Sequence, residues 1–304
     1  PYHSIPFVFF EKGSDEFKNV INKIVEFATE SPQDNFNSKN LVESINNSFE
    51  QIHLKRFPTE EERIILFLIL MMLGEDENLN PDNLANEWMR EILKLDIIDI
   101  SWRIEFDYIQ IWIYRRLEKY QEALNKALNY VEKYPDDPRF YHALCLNYYC
   151  LYRSSENESR LNLLEKSIEN AEKAYKIYQN LHEFYKIIHS NQNNPRKAII
   201  KTLIILLNSQ SYLNTLLYKE THREESLILA REQLNKLKNE DSNYYKFPEF
   251  LHTEAFLELQ EYYHFKNKEK LYNARNAIER AISIQERDNY LHLQNEINKV
   301  FKNQ

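Results

Sequence analysis

The chain has 304 residues, 43% of them apolar and 13% aromatic, with two glycines and a formal net charge of −8. This apolar and aromatic content excludes a disordered chain. The glycine count excludes a fold rich in hairpins, bulges or phosphate-cradling loops, where backbone must reach positive φ or approach a ligand closely, and the acidic balance makes nucleic acid an unexpected partner, because affinity for it rests on neutralising phosphates.

An all-α fold is therefore expected, and the elements follow in chain order. His3–Phe10 (HSIPFVFF) is a short β-prone run ending at Gly13, expected as the last strand of an upstream domain or as a tail packed on the first helices. The chain opens at Pro1 without a methionine, which points to a fragment of something longer. Phe17, Val20, Ile21, Ile24 and Phe27 recur at helical spacing, as do Leu41, Ile45, Phe49 and Ile52 behind a cap at Ser38. Thr59 and Glu62 form a capping box for a helix that runs to Gly74. Its apolar run Ile64–Leu73 is ten residues, half of what a membrane span needs. Pro81–Asp82 opens a fourth helix through Leu84, Trp88, Ile92 and Leu95. Between Ile98 and Tyr108 apolar residues alternate with polar ones, a strand pattern. The segment continues into IQIWIYRRLEKY, apolar on more than one face, and the reading favours a buried helix.

From Tyr120 the pattern becomes repetitive. Tyr120, Ala123, Leu124, Ala127, Tyr130 and Val131 share one face, and Pro135 stops the helix. After Pro138 come Tyr141, Leu144, Cys145 and Tyr148; then, past the polar insert RSSENESR, come Leu164, Ser167, Ile168, Ala171, Ala174 and Tyr175. Weaker echoes stand at Ser226-Leu227-Ala230-Leu234 and at Ala274-Ile278-Ala281-Ile282, each behind a long apolar helix. This spacing of small and aromatic residues resembles the tetratricopeptide repeat (TPR). The equivalent positions Tyr120, Leu164, Arg223 and Leu271 lie 44, 59 and 48 residues apart, against roughly 34 in the family, so longer helices or inserts are expected. The last helix, Tyr290–Phe301, has a thin apolar stripe of Leu291, Ile297 and Val300–Phe301 and reads as a cap opened by Asp288. The expected architecture is a TPR-like α-solenoid of antiparallel helix pairs over residues 101–304, preceded by a small helical region over residues 1–100.

Residues Arg56–Leu70 with Pro81–Ala85 look like a degenerate winged helix, similar to the one after the nucleotide-binding domain of signal-transduction ATPases with numerous domains (STAND). That resemblance implies the trigger-sensing end of a prokaryotic signalling or defence protein, although no GxxxxGK[ST] occurs in this chain. A stand-alone peptide-sensing TPR regulator is a second possibility. The TPR resemblance implies a protein or peptide ligand in a concave face. Carried onto the unit that opens at Pro138, the family's groove-facing positions fall on Arg139, His142, Leu146 and Tyr149, a mixed apolar and cationic surface. Tyrosine, 21 in all, suits both solenoid cores and such grooves.

Chemistry is sparse. There is no HExxH, CxxC or G-x-S-x-G, and His142 three residues before Cys145 reads as packing. Neither a metal nor a cofactor is expected. Arg287 and His292 match the R-x4-H pattern of HEPN ribonucleases, which implies an alternative enzyme reading with Arg and His acting on a ribose 2′-OH. Fifteen arginines and nine histidines produce that spacing about once by chance, so a non-catalytic protein is preferred. Cys145 and Cys150, five apart in one helix, read as reduced thiols of a cytoplasmic protein. The oligomeric state is left open.

Overall fold

The computed structural model describes residues 100–156, 159–188 and 193–303. The helices, strand and winged helix expected before residue 100 lie outside them. The chain divides into two units, Pro1–Glu118 and Lys119–Gln304. Of the first unit, helix α1 (Ile100–Arg116) is described, with Ile111, Trp112 and Ile113 buried. The ambiguous alternating segment is thus helical from Ile100 onward. Tertiary burial on several faces overrides the two-residue alternation.

The second unit consists of α2 (Tyr120–Lys133), α3 (Pro138–Ser154), α4 (Arg160–Ile188), α5 (Asn193–Thr221), α6 (Glu224–Glu240), a 3-10 turn (Tyr244–Lys246), α7 (Pro248–Phe265), α8 (Lys268–Ile284) and α9 (Asp288–Lys302). No strand occurs among the described residues. Local chemistry sets several boundaries. Pro138 and Pro248 occupy first-turn positions, where a missing amide costs nothing. Asp137 and Asn267 cap α3 and α8 by accepting from the amides two residues on. Arg287, not Asp288, takes the N-cap position of α9, without a side-chain cap bond; Asp288 adds its charge to the first turn instead.

Each helix runs antiparallel to the next, and the partner pairs fix the register. On α3 and α4, Cys145 meets Ser167 and Tyr152 meets Arg160. On α5 and α6, Ser211 Oγ donates to the Ala230 carbonyl, and Leu207 packs with Leu237. On α6 and α7, Arg231 meets Glu261 and Lys238 meets Glu254. Helices two apart run parallel: Tyr149 and Tyr152 of α3 meet Tyr212 and Glu220 of α5 in the same order, and Glu249 and His252 of α7 meet Arg287 and Tyr290 of α9. The result is a two-layer, TPR-like stack of antiparallel helix pairs. Helices α3, α5, α7 and α9 form one layer and α2, α4, α6 and α8 the other.

The small residues read from the sequence sit between the layers. Ala123 and Ala127 of α2, Ala171 and Ala174 of α4, Ala230 of α6, and Ala274 and Ala281 of α8 are all fully buried. They let helix axes approach closely. The irregular repeat interval has a simple cause: α4 and α5 have 29 residues each, against 17 in α3, α6 and α8. The C-terminal half of α4 therefore runs on past the α2–α3 turn. The RSSENESR insert spans the end of α3, the connection, and the first residue of α4. In α9 the buried stripe is Tyr290, Leu293 and Ile297, so the core contact is made nearer the helix start than Leu291 and Phe301 suggested.

Candidate functional site

Helix α3 has three uses for its circumference. Phe140 packs on Tyr130 and Tyr134 beside α2. Cys145, Tyr148 and Tyr152 face α4, through Ser167, Lys166 and Arg160. The remaining stripe carries Arg139, His142, Leu146, Tyr149 and Arg153 at spacings of three and four. All except the exposed Arg153 are half-buried. The four positions expected to face a groove therefore share one half-buried face of α3 by helical spacing, and Tyr149 on it also packs against the cluster of Leu164, Ile168 and Leu213. Arg139 is engaged there: its Nε and Nη2 donate to the Asp137 carboxylate, Nη2 at 2.6 Å.

The stripe continues across the same layer. On α5 it comprises Ile205, Ser209, Tyr212, Leu216 and Lys219, and on α7 Glu249, His252, Phe256 and Tyr263. Rings link the helices. Tyr149 Oη donates to Tyr212 Oη at 3.2 Å, with the rings edge-on at 6.0 Å. Tyr212 lies 5.9 Å from His252 and 5.6 Å from Phe256, and His252 stacks on Tyr290 of α9 at 4.9 Å. A seam of aromatic rings thus crosses α3, α5, α7 and α9, and Tyr149, Tyr212 and His252 remain partly open to solvent.

Burial tunes the seam toward neutrality. It pushes the Tyr149 phenol well above its usual range, helped by the neighbouring Tyr212. It lowers His252 to about 4, helped by the Arg287 charge, so the imidazole is neutral at pH 7. Fixed charges flank the rings. Lys219 Nζ lies 5.6 Å over the Phe256 ring and 3.7 Å from Glu296. Tyr152 donates to Glu220 at 2.6 Å and accepts from Arg160 at 2.9 Å, which ties the α3–α4 connection to the end of α5.

The remaining sequence candidates fall elsewhere. Arg287 forms a 3.0 Å ion pair with Glu249, donates to Gln285 at 2.7 Å and lies over Tyr290. It clasps α9 to α7 and is mostly buried. His292 is exposed further along α9. Cys145 is buried and Cys150 half-buried, and neither is in a disulfide. Among the described residues no group of three or more His, Cys, Asp or Glu is placed to hold a metal, and no helix is long and apolar enough to cross a membrane.

Sequence reasoning missed most of the seam. Tyr212 sits inside the apolar run of α5, where only its half-burial distinguishes it. It also missed an ion cluster between the layers. Arg231 of α6 donates to Glu261 at 2.7 Å and to Glu258 at 2.6 Å, and Lys270 of α8 lies 2.8 Å from Glu261 and 3.4 Å from Glu258. Burial alone would raise Glu261, but hydrogen bonds from Arg231 and Lys270 outweigh it and hold the carboxyl below its usual range. The signal was present: two glutamates three apart inside LELQE, where leucines alternate with polar residues in a largely buried helix.

No family model matches this sequence, and no curated protein is similar to it. Among solved structures, a tetratricopeptide repeat protein from Parabacteroides merdae is 12% identical, over 93% of this chain and 99% of that one, with a TM-score of 0.42. Human IFIT1, as a dimer with PPP-AAAA, is 13% identical over 88% of this chain and 64% of that one, at 0.33. The same protein with m7Gppp-AAAA is 14% identical over 92% and 68%, at 0.35. The architecture described above rests on the register of this chain's own helices.

Proposed function

We propose that this chain is a non-catalytic helical-repeat scaffold that holds a protein or peptide segment along the open stripe of α3, α5 and α7. The observation that carries this reading is the ring seam Tyr149–Tyr212–His252, shared by successive helices of one layer and left partly exposed. Half-buried tyrosines offer large, stiff contact area at little cost in rotamer entropy, with a polar tip for hydrogen bonding. Helix α3 places the exposed Arg153 on the stripe and carries no carboxylate of its own, and α5 adds the exposed Lys219, in a chain of net charge −8. This favours an acidic segment as the ligand. The wider role we propose, as the trigger-sensing part of a larger cytoplasmic signalling or defence protein of a prokaryote, draws on the winged-helix resemblance of Arg56–Leu70 with Pro81–Ala85 and on two cysteines that form no disulfide.

Affinity capture with the whole chain tests the reading, run beside an Arg153→Glu/Lys219→Glu variant. Both side chains are exposed, so the fold is expected to survive, as circular dichroism would verify. A protein retained by the parent chain, lost by the variant and displaced by an acidic peptide from its own sequence supports the proposal. Retention of RNA alone, or of the same proteins by both chains, overturns it.

A further inference from the structure

A shallow, solvent-open hollow of about 620 Å³ lies where the α2–α3 turn meets the C-terminal half of α4. Tyr134 and Pro138 from the turn side, and Tyr178 and Leu181 from α4, give it aromatic and apolar walls. The hollow lies where α4, 29 residues against 17 in α3, continues past the start of α3 beside the turn. Four charged residues complete the lining, and they are unequally committed. Arg139 and Asp137 neutralise each other through a two-oxygen clasp, 3.0 Å from Nε to Oδ1 and 2.6 Å from Nη2 to Oδ2. Lys133 places its ammonium over the Tyr134 ring, 4.7 Å from the centroid. Asp136 is exposed and forms no hydrogen bond or ion pair among the described residues. The cavity thus holds one uncommitted carboxylate and a ring face that already attracts an ammonium group of this chain.

We infer that this cavity binds an organic cation, an alkylammonium or guanidinium group seated on the Tyr134 ring and neutralised by Asp136, with Lys133 as the built-in occupant it displaces. The negative face of the ring and the nearby carboxylate act together, and the walls of Tyr178, Pro138 and Leu181 suit an alkyl chain. The group could arrive on a lysine side chain of a protein or on a free polyamine. Both offer the same chemistry. The site is separate from the ring seam, since neither Lys133 nor Asp136 lies on the open stripe, so the two proposals can fail independently.

Backbone amide shifts of the 15N-labelled chain, titrated with spermidine, with N-acetyl-lysine methylamide and with sodium acetate at matched ionic strength, test this. Saturable shifts at residues 133–139 are expected with the cations and not with acetate, and the tighter of the two cations names the source. Asp136→Asn should weaken binding about two- to fivefold, while Lys133→Ala should tighten it by a similar factor. Both residues are exposed, so neither change threatens the fold. A merely structural role would not move the two variants in opposite directions. No saturable shift, an equal response to acetate, or two variants that bind like the parent overturns the inference.

Discussion

The side chains that decide most about this stack are the few charged ones inside it. Glu258 and Glu261 are 3% and 5% exposed, so each would be costly to ionise alone. Arg231, reaching from α6, satisfies three of their four oxygens, and Lys270 supplies the second cation from α8. A buried ion pair stabilises little relative to apolar packing, but removing one partner strands the other charges. Arg231→Met should therefore cost about 3–5 kcal/mol, read as a lowered denaturant midpoint with an unchanged slope. Arg231→Met/Glu261→Leu, which leaves the Glu258–Lys270 pair, should recover most of that loss. A single-variant cost below about 1 kcal/mol would mean that the cluster behaves like a surface pair. What the cluster provides is register. Its four groups sit on three consecutive helices and match in one alignment of α6, α7 and α8, whereas a slip of one turn in an alanine-rich interface would meet little resistance.

The helices themselves were largely legible in the sequence, because each buries a stripe at helical spacing and stops at a proline or a polar cluster. Tyr120–Val131 before Pro135, and Ser226–Leu234, read correctly for that reason. The long intervals were visible as numbers, but not as 29-residue helices, because α5 is apolar on several faces and periodicity cannot place its ends. The seam was illegible for a related reason: Tyr212 and His252 differ from core aromatics only in what packs beside them. The connections follow from the scarcity of glycine. Glu118, His222 and Lys266 sit at φ of 58°, 56° and 54°, the left-handed positions after helices that glycine usually fills. At Lys266, the C-cap of α7, the backbone amide still closes onto the Tyr262 carbonyl at 2.8 Å, so the geometry is kept despite the Cβ. Lys266→Gly should then stabilise the second unit by about 0.5–1 kcal/mol in thermal unfolding. A loss of that size instead would mean that the lysine ammonium over Tyr262 and Tyr263 outweighs the backbone strain.

At the scale of the whole second unit, stability is shared between neighbours. Each helix pair buries its inner face only against the next, so the free energy of the stack approximates a sum of hairpin and interface contributions, and its ends are the weak points. The C-terminal end is closed by α9. Tyr290, Leu293 and Ile297 cover the cluster built from Leu251, Ala255, Leu271, Ala274 and Ile278, while Asp288, Asn289, His292, Asn295, Lys299 and Lys302 stay exposed on its outer side. Arg287 fastens that cap through Glu249 and the Tyr290 ring. Truncation after Gln285 removes this cover and bares a broad apolar face on α7 and α8. Because the coupling is between neighbours, the damage should be graded by distance. In hydrogen exchange the truncated chain should lose protection in α7 and α8 by two or more orders of magnitude, while α3 and α4, which share none of those contacts, keep theirs. Arg287→Ala in the intact chain should give a milder version confined to α9 and the start of α7. Uniform loss of protection from α2 to α8 would identify a single cooperative globule rather than a stack whose layers answer to their neighbours.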